Sequence, residues 1–176
     1  MKIGQNVELI QSESEGFFET TEAGIASDDQ GYLFEVLSKR LYSNPEGTIV
    51  REITSNCFDS HVEAGVNKPV VIKFTYDEGV TFMSFIDYGV GLSPDRIKKV
   101  YMNYFSSTKR STNTQIGGFC VGSKSPLSYT NSFFIITQFN GSRRTYLMSQ
   151  AAQKPTLELL LEEECPVDEN GTEVKI

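Results

Sequence analysis

Histidine occurs once in this chain, at position 61, and cysteine three times, at positions 57, 120 and 165. The cysteines are widely spaced, odd in number and form no Cys-x-x-Cys pair. These scarcities argue against a zinc cluster or a disulfide framework, and free thiols fit a reducing compartment such as the cytoplasm. Basic residues are also few. Sixteen Lys and Arg stand against 23 Asp and Glu, a net charge of −7, which speaks against direct binding to nucleic acid. Lys109-Arg110 and Arg143-Arg144 are among the few basic pairs. Long apolar runs are missing: Phe133-Phe134-Ile135-Ile136 is far too short to span a bilayer, so no transmembrane segment is expected. No signal peptide is visible, because Met1-Lys2-Ile3 passes at once into Gly4-Gln5-Asn6. Internal repeats, low-complexity stretches and an interdomain linker are absent as well.

What is present is the make-up of one ordinary globular domain: 176 residues, 39% hydrophobic and 22% charged. Val7 to Ile10 alternates weakly, as an edge strand would, and residues 12 to 31 read as loop, so the first 32 residues are poorly defined. Leu33, Phe34, Val36, Leu37, Leu41 and Tyr42 have helical spacing, and Asn44-Pro45-Glu46-Gly47 is expected to stop that helix. A second helix is predicted from about Thr48 to Ala64, closed by Gly65. Strands follow at Val70–Thr75 and Thr81–Ile86, joined at Asp77-Glu78-Gly79. Ser93-Pro94-Asp95 opens a further helix. The polar stretch 102–116 reads as a mobile loop. Strands are then predicted at Ser132–Phe139, Arg143–Met148 and Thr156–Glu162, with a last one after Asn170-Gly171. Helices come mostly first and strands later, which predicts an α+β sandwich with one mostly antiparallel sheet. Ile176 falls inside an apparent strand, so an excised domain of a longer protein is expected.

Three motifs carry chemistry. Glu52, Asn56 and Asp59 lie within an arc of roughly 60° around the second helix, beside the apolar stripe of Ile49, Val50, Ile53 and Cys57. Oxygen ligands of this kind suit Mg²⁺ and an ordered water. His61 falls on the opposite side of the helix from Glu52 and reads as structural. Asp87-Tyr88-Gly89-Val90-Gly91 leaves an apolar strand; its carboxylate can accept from a ligand amine while the glycines let the backbone turn around a flat ring. Gly117-Gly118-Phe119-Cys120-Val121-Gly122-Ser123-Lys124-Ser125 combines glycines, a lysine and hydroxyls in the manner of a phosphate turn. Gly171-Thr172, before the last strand, adds a weaker hydroxyl signal.

In this order the motifs resemble the GHKL ATPase family: gyrase B subunits, the ninety-kilodalton heat-shock chaperones, sensor histidine kinases and MutL proteins. The resemblance covers about residues 33 to 176. Leu41-Tyr42-Ser43-Asn44, Tyr104-Phe105-Ser106-Ser107-Thr108-Lys109 and Gly122-Ser123-Lys124-Ser125-Pro126-Leu127-Ser128-Tyr129-Thr130 are similar to the N-terminal domains of phage rapid-lysis protectors of the rII A type. That likeness implies host cytoplasm as the location. It also implies the Bergerat fold, a mixed, mostly antiparallel sheet with helices on one face, and a site for ATP and Mg²⁺ under a lid. Glu52 would be the general base, Asn56 the Mg²⁺ ligand and Asp59 a support beside the base. Asp87 would bond the adenine amine, with Gly89 and Gly91 shaping the pocket and Thr172 on the adenine side. Lys109 in the lid, residues Gly117, Gly118, Phe119, Val121, Gly122 and Ser123, and Lys124 at the terminal phosphate would hold the phosphates. The family usually has glycine where Cys120 stands, and a side chain there would crowd the phosphates.

The expectation is a slow Mg²⁺-dependent ATPase whose nucleotide state gates lid closure and assembly into a homodimer or with a protein partner. A degenerate nucleotide-binding scaffold is the alternative. A histidine kinase fits poorly, since the single histidine lies within the Glu52 helix. The second domain that supplies a lysine in the gyrase and MutL branches is also missing from these residues.

Overall fold

The computed structural model describes residues 30–37, 42–103, 122–150 and 154–176. Helix α1 (Gln30–Glu35) is short. Asn44-Pro45-Glu46-Gly47 starts a helix, which corrects the expected start of the second helix from about Thr48 to Pro45. The Asn44 side chain accepts the Gly47 N–H at 3.0 Å, Pro45 occupies the first turn where its missing N–H costs nothing, and Glu46 faces the positive helix end. Helix α2 accordingly runs Pro45–Ala64. It ends at Gly65, which adopts the left-handed conformation at φ 65° with its N–H on the last-turn carbonyls.

Strands β1 (Val71–Asp77) and β2 (Val80–Asp87) form a hairpin whose two loop residues, Glu78 and Gly79, both have positive φ, 47° and 88°. Such a loop matches the right-handed twist of the strands it joins. Helix α3 (Pro94–Met102) opens with the Ser93 hydroxyl accepting the Arg96 N–H. A 3₁₀ helix spans Gly122–Ser128. Strands β3 (Ser132–Phe139) and β4 (Ser142–Ser149) form a second hairpin on Asn140-Gly141, again with positive φ at both residues, and β5 (Thr156–Glu164) pairs with β4.

The last strand, β6 (Gly171–Lys175), enters the middle of the sheet, giving the order β1-β2-β6-β3-β4-β5. All five pairings are antiparallel, so within the described residues the sheet is not mixed. Phe85 of β2, Val174 of β6, Ile135 of β3 and Tyr146 of β4 lie in register across it. They are buried with Ile49, Ile53 and Cys57 of α2, Ile97 and Tyr101 of α3, and Leu127 of the 3₁₀ helix. Alternation along the strands puts this core on one face, so the fold is α+β in two layers. Arg96 of α3 makes a bidentate pair with Glu63 of α2, its two nitrogens at 2.7 and 2.5 Å from the carboxylate. Among the described residues no helix is long and apolar enough to cross a membrane.

Candidate functional site

Asp87 is the last residue of β2 and is almost wholly buried on the helix face of the sheet. Its Oδ1 accepts the Ser60 hydroxyl of α2 at 3.0 Å and the Gly89 N–H at 2.9 Å. Burial pushes the Asp87 carboxyl above the usual carboxylate range, and the donors from Gly89, Ser60 and the Thr172 amide offset only part of that. The turn behind it is fastened to the same helix. The Val90 N–H donates to the Ser60 hydroxyl at 3.2 Å, and the Tyr88 N–H donates to His61 Nε2 at 2.8 Å. The rings of His61 and Tyr88 stack at 6.3 Å.

The two glycines are required by close approach. A Cβ on Gly89 would run into Ser60, and one on Gly91, which sits at φ 67°, would strike the Gln138 carbonyl of β3. Thr172 of β6 pairs in register with Asp87 on one side and with Thr137 of β3 on the other. The fully buried Thr137 hydroxyl accepts the Leu92 N–H at 2.8 Å and donates to the Gly171 carbonyl at 3.2 Å. It lies 3.4 Å from the Thr172 hydroxyl. Asp87, Gly89, Gly91 and Thr172 are thus brought together at one end of three neighbouring strands.

Glu52 lies further toward the start of α2, against Gly122, where a Cβ would collide with its carboxylate. Its Oε1 accepts from Arg51, with Nη2 at 2.9 Å and Nε at 3.2 Å. Asn56 is half-buried one turn on, and Asp59 is buried one turn beyond that. Among the described residues no group of three or more His, Cys, Asp or Glu side chains stands together around a metal position.

Ser123 and Lys124 both bond to the end of α3. The Ser123 hydroxyl donates to the Val100 carbonyl at 3.2 Å. Lys124 is only 1% exposed, and its Nζ donates to the carbonyls of Val100 at 2.7 Å and Asn103 at 3.0 Å. The ammonium therefore completes the C-terminal end of α3, where orphan carbonyls and the helix dipole favour a cation. Lys109, Gly117, Gly118, Phe119, Cys120 and Val121, with nearly all of the 102–116 loop, lie outside the described residues, as does the strand expected at Val7–Ile10.

Sequence reasoning missed Ser60 and Thr137 and read His61 only as structural. Ser60 stands next to Asp59 in the motif, but a serine inside a helix carries no signal of its own. Thr137 is one of several threonines in strands. A cleft of about 260 Å³ shares Asp87 and Thr172, yet most of its lining, including Ile86, Ile136, Arg143 and Glu173, is on the sheet face turned from the helices. It is not the space between α2 and the Asp87 turn. The chain matches no protein-family model, and no curated protein matches it.

Proposed function

We propose that this chain is an ATP-binding domain of the GHKL type, with the Bergerat fold. In this reading it binds ATP with Mg²⁺ and hydrolyses it slowly, and nucleotide state gates lid closure and dimerisation in a phage protein of the rapid-lysis protector kind. The observation that carries the reading is the buried Asp87 carboxylate, with Oδ1 held by two donors and flanked by glycines that admit no side chain. An acceptor fixed in this way suits the exocyclic amine of adenine, and an apolar strand end suits the ring.

The spacing of the second carboxylate supports the same reading. Glu52 precedes Ser60 by eight residues on α2, a rise of about 12 Å. A nucleoside triphosphate lying along the helix would span from the Asp87 turn to Glu52. Glu52 would then take the proton from the attacking water, with Asp59 supporting the polar edge of the helix. The Asn56 amide oxygen is the oxygen ligand that Mg²⁺ prefers, and the ion, when bound, neutralises phosphate charge. Gly122 would border the phosphates together with residues 117–121, and Lys109 would reach them from the lid. Lys124 is assigned a different task, since its amine is committed to α3.

The test is a calorimetric titration with ATP and Mg²⁺, paired with phosphate release on the same sample. Glu52→Ala is expected to bind ATP and release no phosphate; retained hydrolysis would defeat the assignment of the base. The alternative, a nucleotide-binding scaffold without turnover, is favoured by Cys120 in place of glycine and by the Arg51 guanidinium on Glu52. Binding without phosphate release in the unaltered chain, with release gained by Cys120→Gly, would establish that alternative.

A further inference from the structure

We propose that Ser60 and His61 are positioning residues that set base selectivity by locking the Asp87 carboxylate and its turn against α2. The proposal rests on the adenine-nucleotide reading above and assigns to that site two residues it did not contain.

The contacts are specific to these two side chains. The Ser60 hydroxyl works in both directions: it donates to Asp87 Oδ1 at 3.0 Å and accepts the Val90 N–H at 3.2 Å. One oxygen thereby joins the carboxylate to the backbone three residues later. His61 Nε2 takes the Tyr88 N–H at 2.8 Å, the peptide immediately after the carboxylate residue. Its ring lies against Tyr88, and Lys68 Nζ stands 5.2 Å from the Tyr88 ring centroid. Two adjacent residues of one helix therefore hold three residues of the turn. Gly89 fits because no side chain separates it from Ser60.

This locking has a chemical consequence. With Oδ1 occupied by Ser60 and Gly89, the orientation of the carboxylate is fixed before a ligand arrives. A base with an exocyclic amine donates to such an acceptor. A base carrying a carbonyl at the same position sets acceptor against acceptor, and a carboxylate that cannot rotate cannot relieve the clash. Selectivity for adenine over hypoxanthine thus depends on Ser60 and His61 even though neither touches the base.

The experiment measures the affinities of ADP and IDP for the whole chain with Mg²⁺ by calorimetry, in unaltered protein and in Ser60→Ala, His61→Leu and His61→Gln. The ADP-to-IDP preference is expected to shrink about fivefold or more in Ser60→Ala and His61→Leu. It should return in His61→Gln, whose amide oxygen can accept the Tyr88 N–H. If both nucleotides weaken together and the ratio holds, the residues are merely structural and the proposal falls. If His61→Leu does not fold, Ser60→Ala, which removes a single oxygen, decides the matter. Failure of the unaltered chain to bind either nucleotide overturns the ATP reading and this proposal with it. Binding with an unchanged ratio overturns this proposal alone.

Discussion

At the scale of the residue, Asp87 sets its proposed role against stability. Its carboxyl holds a proton more tightly in the folded chain than in the unfolded one, because burial outweighs its donors. The stability it contributes is therefore full at pH below the unfolded value and is lost as pH rises through the raised folded value. Asp87→Asn keeps an oxygen for Ser60 and Gly89 without a charge. Its urea midpoint at neutral pH is expected to equal or exceed that of the unaltered chain, and the gap should close on acidification. ADP affinity should fall about tenfold or more in the same variant. Arg51 and Glu52 form an exposed pair, with side chains 69% and 26% accessible. Arg51→Ala should shift unfolding by no more than about 0.5 kcal/mol while raising phosphate release, by freeing the carboxylate. Burial, reinforced by the charge of Asp87, pushes the Cys57 thiol up to about 12, so Cys57 should resist a thiol reagent in native protein while Cys165, half-buried, reacts. The sequence made Asp87 and its glycines legible because their spacing is a constraint on the backbone. Ser60, His61 and Thr137 were not legible, since a hydrogen bond across 27 or more residues leaves no local pattern. The contacts of Lys124 were hidden for a related reason. A lysine in a glycine-rich run reads as a phosphate ligand, but its partners are carbonyls on another helix.

At the scale of the element, turn chemistry carried the most information. Both hairpins fall where Glu78-Gly79 and Asn140-Gly141 supply two positive φ values, and their strands start and stop within two residues of expectation. The Asn44-Pro45-Glu46-Gly47 stretch shows why the helix boundary went wrong. Asparagine and proline occur both beyond helix ends and at helix starts, and the Asn44 bond to the Gly47 amide marks a start here. Asn44→Ala is expected to cost about 1 kcal/mol in chemical unfolding. The two outer strands of the sheet, among the described residues, also differ. β5 carries a bulge at Leu160 and ends in Glu162, Glu163 and Glu164, which blunt pairing with other chains. β1 carries no bulge and presents Phe74 and Tyr76 at 69% and 77% exposure.

At the scale of the whole molecule, two sequence-local pieces of sheet, β1–β2 and β3–β4–β5, share no direct pairing and are joined, among the described residues, through β6 alone. The core follows the same plan, with Phe85 and Ile135 each opposite Val174. Phe85→Ala is expected to cost about 3–5 kcal/mol in denaturant unfolding, because it empties the seam that β6 fills. The consequence reaches into biosynthesis. Among the described residues β6 is the strand that pairs with both pieces, so each keeps an unpaired edge until Gly171–Lys175 has been synthesised. Asp87 meets Thr172 and Thr137 meets Gly171 only when that strand arrives. The Asp87 end of the candidate site is therefore completed in the same late step that joins the two pieces of sheet, and a chain that has not yet placed β6 lacks half of that cluster.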